Sequence, residues 1–307
     1  METIHLLDGG FTDGVKPYTD YESLMKHPLW GSHLLQDDEE AIYKSHRDYI
    51  RAGADMITTN TYQASINGFK QHLGLDYDQS YELIKKSVQL CRRAIQTESS
   101  GRSVKILGAV GPFGASMCDG SEYRGNYIDD MSLQELIDWH MPRIRALIEA
   151  GVDYLLFETI PSIKEAEVLL KILSGFPGQK ACLAFSCKDE THISHGETFA
   201  SAVEQCWTNN AFREQLVAVG FNCVPARYIS SLLMSVQTKN VPFIVYPNGG
   251  GVWDAENKFW DNTKSYTISD KDLTLWKSRG LKILGGCCMC TAKDISHFRD
   301  LIDDVSK

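Results

Sequence analysis

The sequence predicts an α/β fold, a single (β/α)8 TIM barrel that forms one domain over residues 1–307, and two observations predict it. A short apolar run that ends in small or polar residues recurs eight times, and a longer amphipathic stretch follows each run. The chain also exceeds the ~250 residues that such a barrel needs, which leaves room for insertions after strand 1, at residues 11–38, and after strand 3, at residues 112–130. A doubly wound open sheet is the alternative architecture.

The eight apolar runs contain many β-branched residues, which favour strands. The predicted strands comprise residues 4–7, 55–57, 104–110, 154–157, 182–185, 216–221, 243–246 and 282–284.

The stretches between the strands have the apolar periodicity and the end signals of helices. Ser132 and Glu135 form a capping-box pattern at the start of one helix, and Pro142 predicts a kink within it. Gly53 and Gly151 stand where two helices should end. The other predicted helices comprise residues 39–52, 78–97, 162–174, 199–212, 225–236, 270–279 and 292–304.

Composition and charge exclude several classes of protein. Lys and Arg number 31 against 40 Asp and Glu, so the chain lacks the basic excess of a nucleic-acid binder. No apolar run approaches the roughly 20 residues that span a bilayer, and the N-terminus lacks the features of a targeting peptide. We therefore expect a cytoplasmic protein with small-molecule partners, whose nine cysteines are core residues, metal ligands or reactive thiols.

The barrel prediction has a functional consequence, because catalytic groups in this fold lie where the strands end and in the loops that follow. Polar residues end most of the predicted strands, and we expect them to converge at one end of the barrel. They are Asp8, Thr59, Asn60, Glu158, Cys223, Asn248, Cys287 and Cys288.

Three of these convergent residues are cysteines. Cys223 ends strand 6, and the Cys287–Cys288 pair ends strand 8. Three thiolates with one open position are typical of a catalytic zinc site. Buried, unreactive thiols are the alternative, since free cysteine is among the most buried residue types. A second alternative has Cys290 as a ligand in place of Cys288, because Cys287 and Cys290 have the common Cys-x-x-Cys spacing. Cys187 ends strand 5, and a lone cysteine there is more typical of a packed core residue.

Six motifs, in this order, resemble those of the zinc-dependent homocysteine S-methyltransferases. They are Asp8-Gly9-Gly10, Thr58-Thr59-Asn60-Thr61-Tyr62, Gly111-Pro112, Glu158-Thr159, Gly220-Phe221-Asn222-Cys223 and Gly285-Gly286-Cys287-Cys288. The resemblance covers nearly the whole chain and implies a (β/α)8 barrel with Zn2+ bound by Cys223, Cys287 and Cys288. It also implies transfer of a methyl group to the thiol of homocysteine, which gives methionine.

The same resemblance assigns substrate-binding roles. Asp8 and Glu158 are expected to bind the α-ammonium group of homocysteine, with a helix cap or a structural hydrogen bond as the alternative role. Backbone N–H groups near Gly9 and Gly10, together with Thr59 or Asn60, are expected to bind the carboxylate. Asn222 is expected to orient the Cys223 loop. Met289 and Cys290 depart from the family pattern, in which Arg and Thr often follow the cysteine pair.

The methyl donor is predicted by elimination. Betaine-using relatives typically carry a long C-terminal extension, whereas this chain ends at Lys307, so S-methylmethionine is expected first and S-adenosylmethionine second. Sulfonium cations are attracted to aromatic faces, for which the candidates are Trp30, Tyr62, Phe113 and Trp253.

Two rival functions remain open at the level of sequence. The first is a phosphate site formed by the glycines of residues 248–251 and 285–286, because many barrels bind phosphate in these last two loops. The second is a non-catalytic zinc-binding or thiol-sensing barrel.

Overall fold

A computed structural model of the chain describes residues 3–99, 101–250, 252–254, 259–261 and 267–305. Its strands are β1 (His5–Leu6), β2 (Met56–Thr58), β3 (Lys105–Val110), β4 (Tyr154–Ile160), β5 (Lys180–Phe185), β6 (Leu216–Asn222), β7 (Phe243–Tyr246), β8 (Val252–Asp254), β9 (Phe259–Asp261) and β10 (Leu281–Leu284). Strands β8 and β9 form a separate antiparallel hairpin, and the other eight form one parallel sheet.

The parallel sheet closes on itself. Its strand order is β1-β10-β7-β6-β5-β4-β3-β2, and an isolated parallel bridge between Leu7 and Met56 joins its two ends. The side chain of Asp55 also accepts a hydrogen bond from the Leu6 N–H at 2.9 Å across the same junction. The predicted (β/α)8 barrel is thereby confirmed, and the open-sheet alternative is wrong.

The helices surround the barrel. They are α1 (Phe11–Val15), α2 (Tyr21–Lys26), α3 (Leu34–Asp37), α4 (Glu39–Arg51), α5 (Ile66–Leu73), α6 (Tyr77–Glu98), α7 (Leu133–Glu149), α8 (Ile163–Ser174), α9 (Phe199–Val203), α10 (Ile229–Ser235), α11 (Asp270–Ser278) and α12 (Ala292–Asp304). In the described part of the chain, no helix combines the length and the apolar character that a bilayer span requires.

Several end signals act as the sequence predicts. Ser132 and Glu135 form the capping box of α7, and the helix continues through Pro142. Gly53 and Gly151 follow α4 and α7 with φ of +102° and +79°, which is the backbone conformation that glycine adopts at low cost.

Both insertions are present. The first contains α1, α2, a 3-10 helix at Trp30–His33 and α3, and the second consists of 3-10 helices at Phe113–Met117, Ser121–Tyr123 and Asn126–Asp129.

Several local features differ from the sequence prediction, among them the β8–β9 hairpin, which was not predicted. Helix α5 lies in the loop after β2, where no helix was predicted. The predicted helix at 199–212 ends early, because α9 continues only as a π-helical turn at Glu204–Thr208. Strand β4 continues to Ile160, with a register shift against β5 between Phe157 and Ile160, so Glu158 lies within the end of the strand.

Candidate active site

The three predicted metal-binding thiols lie together. Cys223 directly follows β6, and Cys287 and Cys288 follow β10, two strands away across β7. Their sulfur atoms all lie within 4.8 Å of one another, and the Sγ atoms of Cys223 and Cys288 are 3.6 Å apart. A tetrahedral zinc ion with Zn–S bonds of about 2.3 Å separates its sulfur ligands by ~3.8 Å. The cluster therefore fits zinc.

The turn after β7 holds both cysteine loops in place. The Pro247 carbonyl accepts from the Cys287 N–H at 2.8 Å, and the Gly249 N–H donates to the Cys288 carbonyl at 2.8 Å. Towards the loop after β6, the backbone N–H of Asn248 donates to the Val224 carbonyl at 3.0 Å. One turn thus ties the loop after β6 to the loop after β10.

The same hydrogen bonds contradict the phosphate-site hypothesis. The N–H groups of Gly249, Gly285 and Gly286 donate to backbone carbonyls, and that of Gly250 donates to the side chain of Asn248. Donors that are already satisfied cannot hold a phosphate. Gly251, also part of this hypothesis, lies outside the described residues.

The rival cysteines lie elsewhere. Cys290 is buried with its sulfur 3.6 Å from the Pro247 carbonyl, and it is not part of the three-thiol group. Cys187 packs against the main apolar core. Burial raises the pKa of both thiols.

Tyr123 is a functional-site residue that the sequence analysis missed. It lies in the second insertion, and its hydroxyl donates to the Cys223 sulfur at 3.2 Å. Hydrogen bonds from the Cys287 and Cys288 thiols, and then from Tyr123, hold the pKa of Cys223 well below its usual value. The Cys223 thiolate in turn raises the pKa of the other two thiols. Nothing in the local sequence marks Tyr123, because the insertion brings it to the site only in the folded chain.

Asn222 connects the cluster to β4. Its side-chain oxygen accepts from the Thr159 N–H at 2.7 Å, and its amide donates to the Thr159 hydroxyl at 2.8 Å. The same amide lies 3.9 Å from the Cys287 sulfur. Thr159 has φ of +58°, which is uncommon for a β-branched residue, so the Asn222 clamp stabilises a strained end of β4 next to Glu158.

Two carboxyl groups face the same pocket. Asp8 is buried and accepts from the Thr58 N–H at 2.7 Å, and Glu158 accepts from the Tyr246 hydroxyl at 3.2 Å. Burial raises the pKa of Asp8 to about 7. Burial, reinforced by the Asp8 charge, raises the pKa of Glu158 to about 8. A cation bound between them would favour the charged form of both groups.

The glycines after β1 permit close packing on the cysteine loop. A Cβ atom at Gly9 would lie 2.4 Å from the Cys290 carbonyl oxygen, and one at Gly10 would lie 2.6 Å from that of Cys287. The Gly10 N–H donates to the Cys290 carbonyl at 2.9 Å, whereas the Gly9 N–H donates to no described residue.

Thr59 and Asn60 line the pocket, and the hydroxyl donor of Thr59 is occupied. The Thr59 hydroxyl accepts a hydrogen bond from the Ala109 N–H, and its oxygen lies 2.6 Å from the Thr61 hydroxyl oxygen. The Thr61 hydroxyl donates to the Ala109 carbonyl, so the proton between the two threonines comes from Thr59. The Asn60 amide donates to the Gly31 carbonyl at 3.3 Å. The Asn60 backbone N–H donates to no described residue, so it is available to a carboxylate.

Asp13 is a second residue that sequence reasoning missed. Its carboxylate accepts from the Met289 N–H at 2.7 Å, where Met289 has φ of +65°. Burial raises the pKa of Asp13 to about 6. Asp13 thus holds the segment in which the sequence departs from the family pattern, immediately after the cysteine pair.

Two of the four candidate aromatic residues line the pocket. Trp30, with φ of +42°, and Tyr62 belong to its wall. Phe113 lines a neighbouring cavity with Trp139. The side chain of Trp253 lies outside the described residues.

One pocket of about 120 Å³ at the C-terminal ends of the strands brings these groups together. Every predicted metal-binding and substrate-binding residue lines it: Asp8, Gly9, Gly10, Thr59, Asn60, Glu158, Asn222, Cys223, Cys287 and Cys288.

Known proteins resemble this chain over most of its length. The sequence profile of the homocysteine S-methyltransferase family matches residues 5–302. A betaine-homocysteine S-methyltransferase of Drosophila melanogaster is 37% identical, with 97% of this chain and 94% of the relative aligned. The homocysteine S-methyltransferase YbgG of Bacillus subtilis is 38% identical, with 88% of this chain and 86% of the relative aligned.

Solved structures agree with these sequence matches. The metallated form of the homocysteine methyltransferase MmuM from Escherichia coli superposes with a TM-score of 0.83 at 33% identity. The superposition covers 97% of this chain and 96% of that chain.

Proposed function

Because the chain belongs to the homocysteine S-methyltransferase family and is an enzyme that methylates the thiol of homocysteine, we propose that it does so with zinc bound by Cys223, Cys287 and Cys288 and with a sulfonium methyl donor. The observation that carries this proposal is the position of the three-thiol group, which lies in the same pocket as Asp8 and Glu158.

The thiol group suits a catalytic metal. Three cysteine ligands leave one position of a tetrahedral ion for a substrate sulfur. Bound zinc supplies a means of holding the homocysteine thiol as thiolate at neutral pH, where a free thiol with a pKa near 8.5 is mostly protonated. Asn222 and Tyr123 contact the cysteines from two sides and keep their sulfur atoms in position.

Asp8 and Glu158 would bind the α-ammonium group of homocysteine. Both carboxyl groups are removed from water, and a cation that forms hydrogen bonds to them restores the interactions that burial removes. Asp8 also keeps its structural hydrogen bonds to Thr58, so we propose both a structural and a substrate-binding role for it.

The substrate carboxylate would bind to backbone donors. The N–H groups of Gly9 and Asn60 form no hydrogen bond to the described residues, and both residues line the pocket. The Thr59 hydroxyl proton goes to Thr61, whereas the Asn60 amide carries a second N–H besides the one that bonds Gly31.

Chain length does not identify the methyl donor. The betaine-homocysteine relative from Drosophila is aligned over 94% of its own length, so a long extension is not general among proteins of that name. We propose S-methylmethionine first and S-adenosylmethionine second, and Trp30 and Tyr62 offer aromatic faces to the sulfonium cation of either donor, as they would to the quaternary ammonium group of betaine.

The decisive experiment measures methionine formation by reduced, zinc-loaded protein with homocysteine and S-methylmethionine. We expect turnover that a chelator abolishes. Cys223→Ala, Cys287→Ala and Cys288→Ala should each lose bound zinc and activity. Cys290→Ala is the matched control, because it changes a thiol of the same loop that lies outside the cluster, and it should retain stoichiometric zinc.

Two results would contradict the proposal. Normal zinc content and turnover in Cys288→Ala would exclude this set of ligands. Bound zinc without methionine formation from any sulfonium donor would exclude the proposed donor class. The cytoplasmic location and the lack of nucleic-acid partners stay predictions from composition.

A further inference from the structure

A fully buried network of charged side chains lies behind the pocket, apart from the groups proposed to bind substrate or metal. Glu165 near the start of α8 and His140 and Arg143 of α7 are each at most 1% exposed. Nη2 of Arg143 lies 3.2 Å from Nδ1 of His140, and Nε2 of His140 lies 2.9 Å from Oε1 of Glu165. Because a guanidinium group only donates, Nδ1 of His140 accepts and its Nε2–H donates to Glu165. A neutral histidine thus connects the two ionic groups.

A buried network of this kind contributes little net stability. Removing charged groups from water costs free energy that their mutual attraction repays only in part, so apolar residues of similar volume often give an equally stable protein. The network therefore points to a role in holding neighbouring segments in one arrangement. Its remaining hydrogen bonds show which segments these are.

Arg143 holds the loops after β2 and β3. Its guanidinium group donates to the carbonyls of Thr61 at 3.3 Å, Tyr62 at 2.7 Å and Gly111 at 2.6 Å. Tyr62 belongs to the pocket wall, and Gly111 immediately precedes the second insertion. Arg143 therefore joins the pocket wall to the start of that insertion.

The start of α8 holds the second insertion itself. Oε1 of Glu165 accepts from the Phe113 N–H at 2.7 Å, in the first 3-10 helix of the insertion, and Oε2 accepts from the Tyr127 hydroxyl in the third. Lys164, the neighbour of Glu165 on α8, donates to the carbonyls of Ile128 and Met131 at 2.6 Å each. Two adjacent side chains of α8 thus hold both ends of the insertion.

Tyr123 lies between these two ends, and its hydroxyl donates to the Cys223 sulfur at 3.2 Å. The insertion is closely packed, since a Cβ atom at Gly114 would lie 2.4 Å from the Tyr127 ring and 2.9 Å from the backbone nitrogen of Glu122. Movement at Tyr127 is therefore passed on to the segment that carries the Tyr123 hydroxyl.

We propose that Glu165 and Tyr127 are positioning residues of the metal site. They hold the second insertion so that the Tyr123 hydroxyl reaches the Cys223 sulfur, and the network behind Glu165 fixes its carboxylate. This inference rests on the proposed function, because it concerns the thiols proposed to bind zinc. Groups that bond to the ligands of a metal from outside commonly change metal affinity or activity by roughly 10- to 100-fold.

Cobalt(II) in place of zinc gives a readout that does not depend on turnover. Sulfur-to-cobalt charge-transfer bands of the reduced protein report on the thiolates, and loss of a hydrogen bond to a thiolate shifts these bands to longer wavelength. Tyr123→Phe should show this shift and bind zinc about tenfold more weakly than the wild type. Tyr127→Phe removes the hydroxyl that donates to Glu165. It should shift the bands in the same direction and weaken zinc binding at least about threefold.

The double variant separates positioning from a general loss of stability. If Tyr127 acts through Tyr123, Tyr123→Phe/Tyr127→Phe should have the spectrum and the zinc affinity of Tyr123→Phe alone, because the contact to be positioned is already lost. Tyr43→Phe is the matched control, since this buried tyrosine also donates to a side chain, that of Thr97, between α4 and α6. It should leave the spectrum and the zinc affinity unchanged.

Glu165→Leu removes every acceptor of the carboxylate at once and should shift the bands at least as far as Tyr127→Phe. Should this variant fail to fold, Tyr127→Phe decides the question by itself.

The outcomes are distinguishable. An unshifted spectrum in Tyr123→Phe or Tyr127→Phe, or losses of zinc affinity that add in the double variant, would overturn the positioning role and leave the three-thiol site standing. Absence of charge-transfer bands in the cobalt-loaded wild type would overturn the metal site of the proposed function, and the positioning role with it.

Discussion

At the scale of single residues, the protonation of Glu158 is coupled to folding. Burial and the Asp8 carboxylate raise its pKa from 4.5 to about 8. The folded protein therefore holds the proton of Glu158 more tightly than the unfolded chain does. The stability that this group contributes is fully present below about pH 4.5 and is lost as the pH rises through about 8.

Glu158→Gln should change both stability and substrate binding. The glutamine has no charge to bury, so the metal-free variant should melt at a higher temperature than the wild type at pH 9, and the difference should shrink towards pH 5. The KM of homocysteine should rise about tenfold or more, because the ammonium group loses a charged partner. Thermal melts at pH 5, 7 and 9 and initial-rate kinetics measure the two effects.

Glu167→Gln is the matched control, because Glu167 is exposed on α8. It should leave the pH dependence of the melting temperature and the KM of homocysteine unchanged. Unaltered homocysteine kinetics in Glu158→Gln would contradict the ammonium assignment, and a variant less stable than the wild type at pH 9 would contradict the burial argument.

At the scale of elements, the close contact of β6 and β7 positions Asn222 and Cys223. Gly220 pairs with Ile244, and a Cβ atom at Gly220 would lie 1.8 Å from the Ile244 carbonyl oxygen. A backbone atom cannot yield as a side chain can, so only glycine permits this strand pair. The hydrogen bond from the Cys223 N–H to the Tyr246 carbonyl, at 3.0 Å, depends on the same spacing.

Gly220→Ala should therefore destabilise the protein by about 3 kcal/mol or more and weaken zinc binding. Gly178→Ala is the control, because a Cβ atom there meets nothing within 4 Å, and we expect no loss of stability. Chemical denaturation and zinc titration measure the effects. Equal stability of the two variants would contradict the steric argument.

At the scale of the whole molecule, the metal site links strands that are distant in sequence. Cys223 and Cys287 are separated by more than 60 residues, and both belong to loops that are tied to the turn after β7. A metal that binds the folded state stabilises it by mass action, by about 2.7 kcal/mol at a free concentration 100-fold above the Kd.

Zinc should accordingly raise the melting temperature of the reduced protein by several degrees, and a chelator should reverse the shift. Cys288→Ser should lose most of this shift, whereas Cys290→Ala should keep it. Calorimetry at buffered free zinc measures the shift. A shift that persists undiminished in Cys288→Ser would exclude the three-thiol site as its origin.

The strands and the cysteines that end them could be predicted from the sequence for a common physical reason. A strand between helices is buried on both faces, so its residues form an apolar run that stands out, and the polar residue that ends the run then marks the catalytic end of the barrel. Helix α5 and the early end of the helix after β5 were missed, because short helices depend on tertiary contacts more than on local periodicity.

The barrel and its two insertions could be predicted from local sequence, because alternating apolar runs are properties of neighbouring residues, whereas the set of three thiols was predicted only with the family resemblance. The contacts of Tyr123 and Asp13 with the cysteine loops exist only in the tertiary structure. Each residue acts through a contact with a residue far away along the chain. Such contacts exist only once the insertions have packed over the ends of the strands.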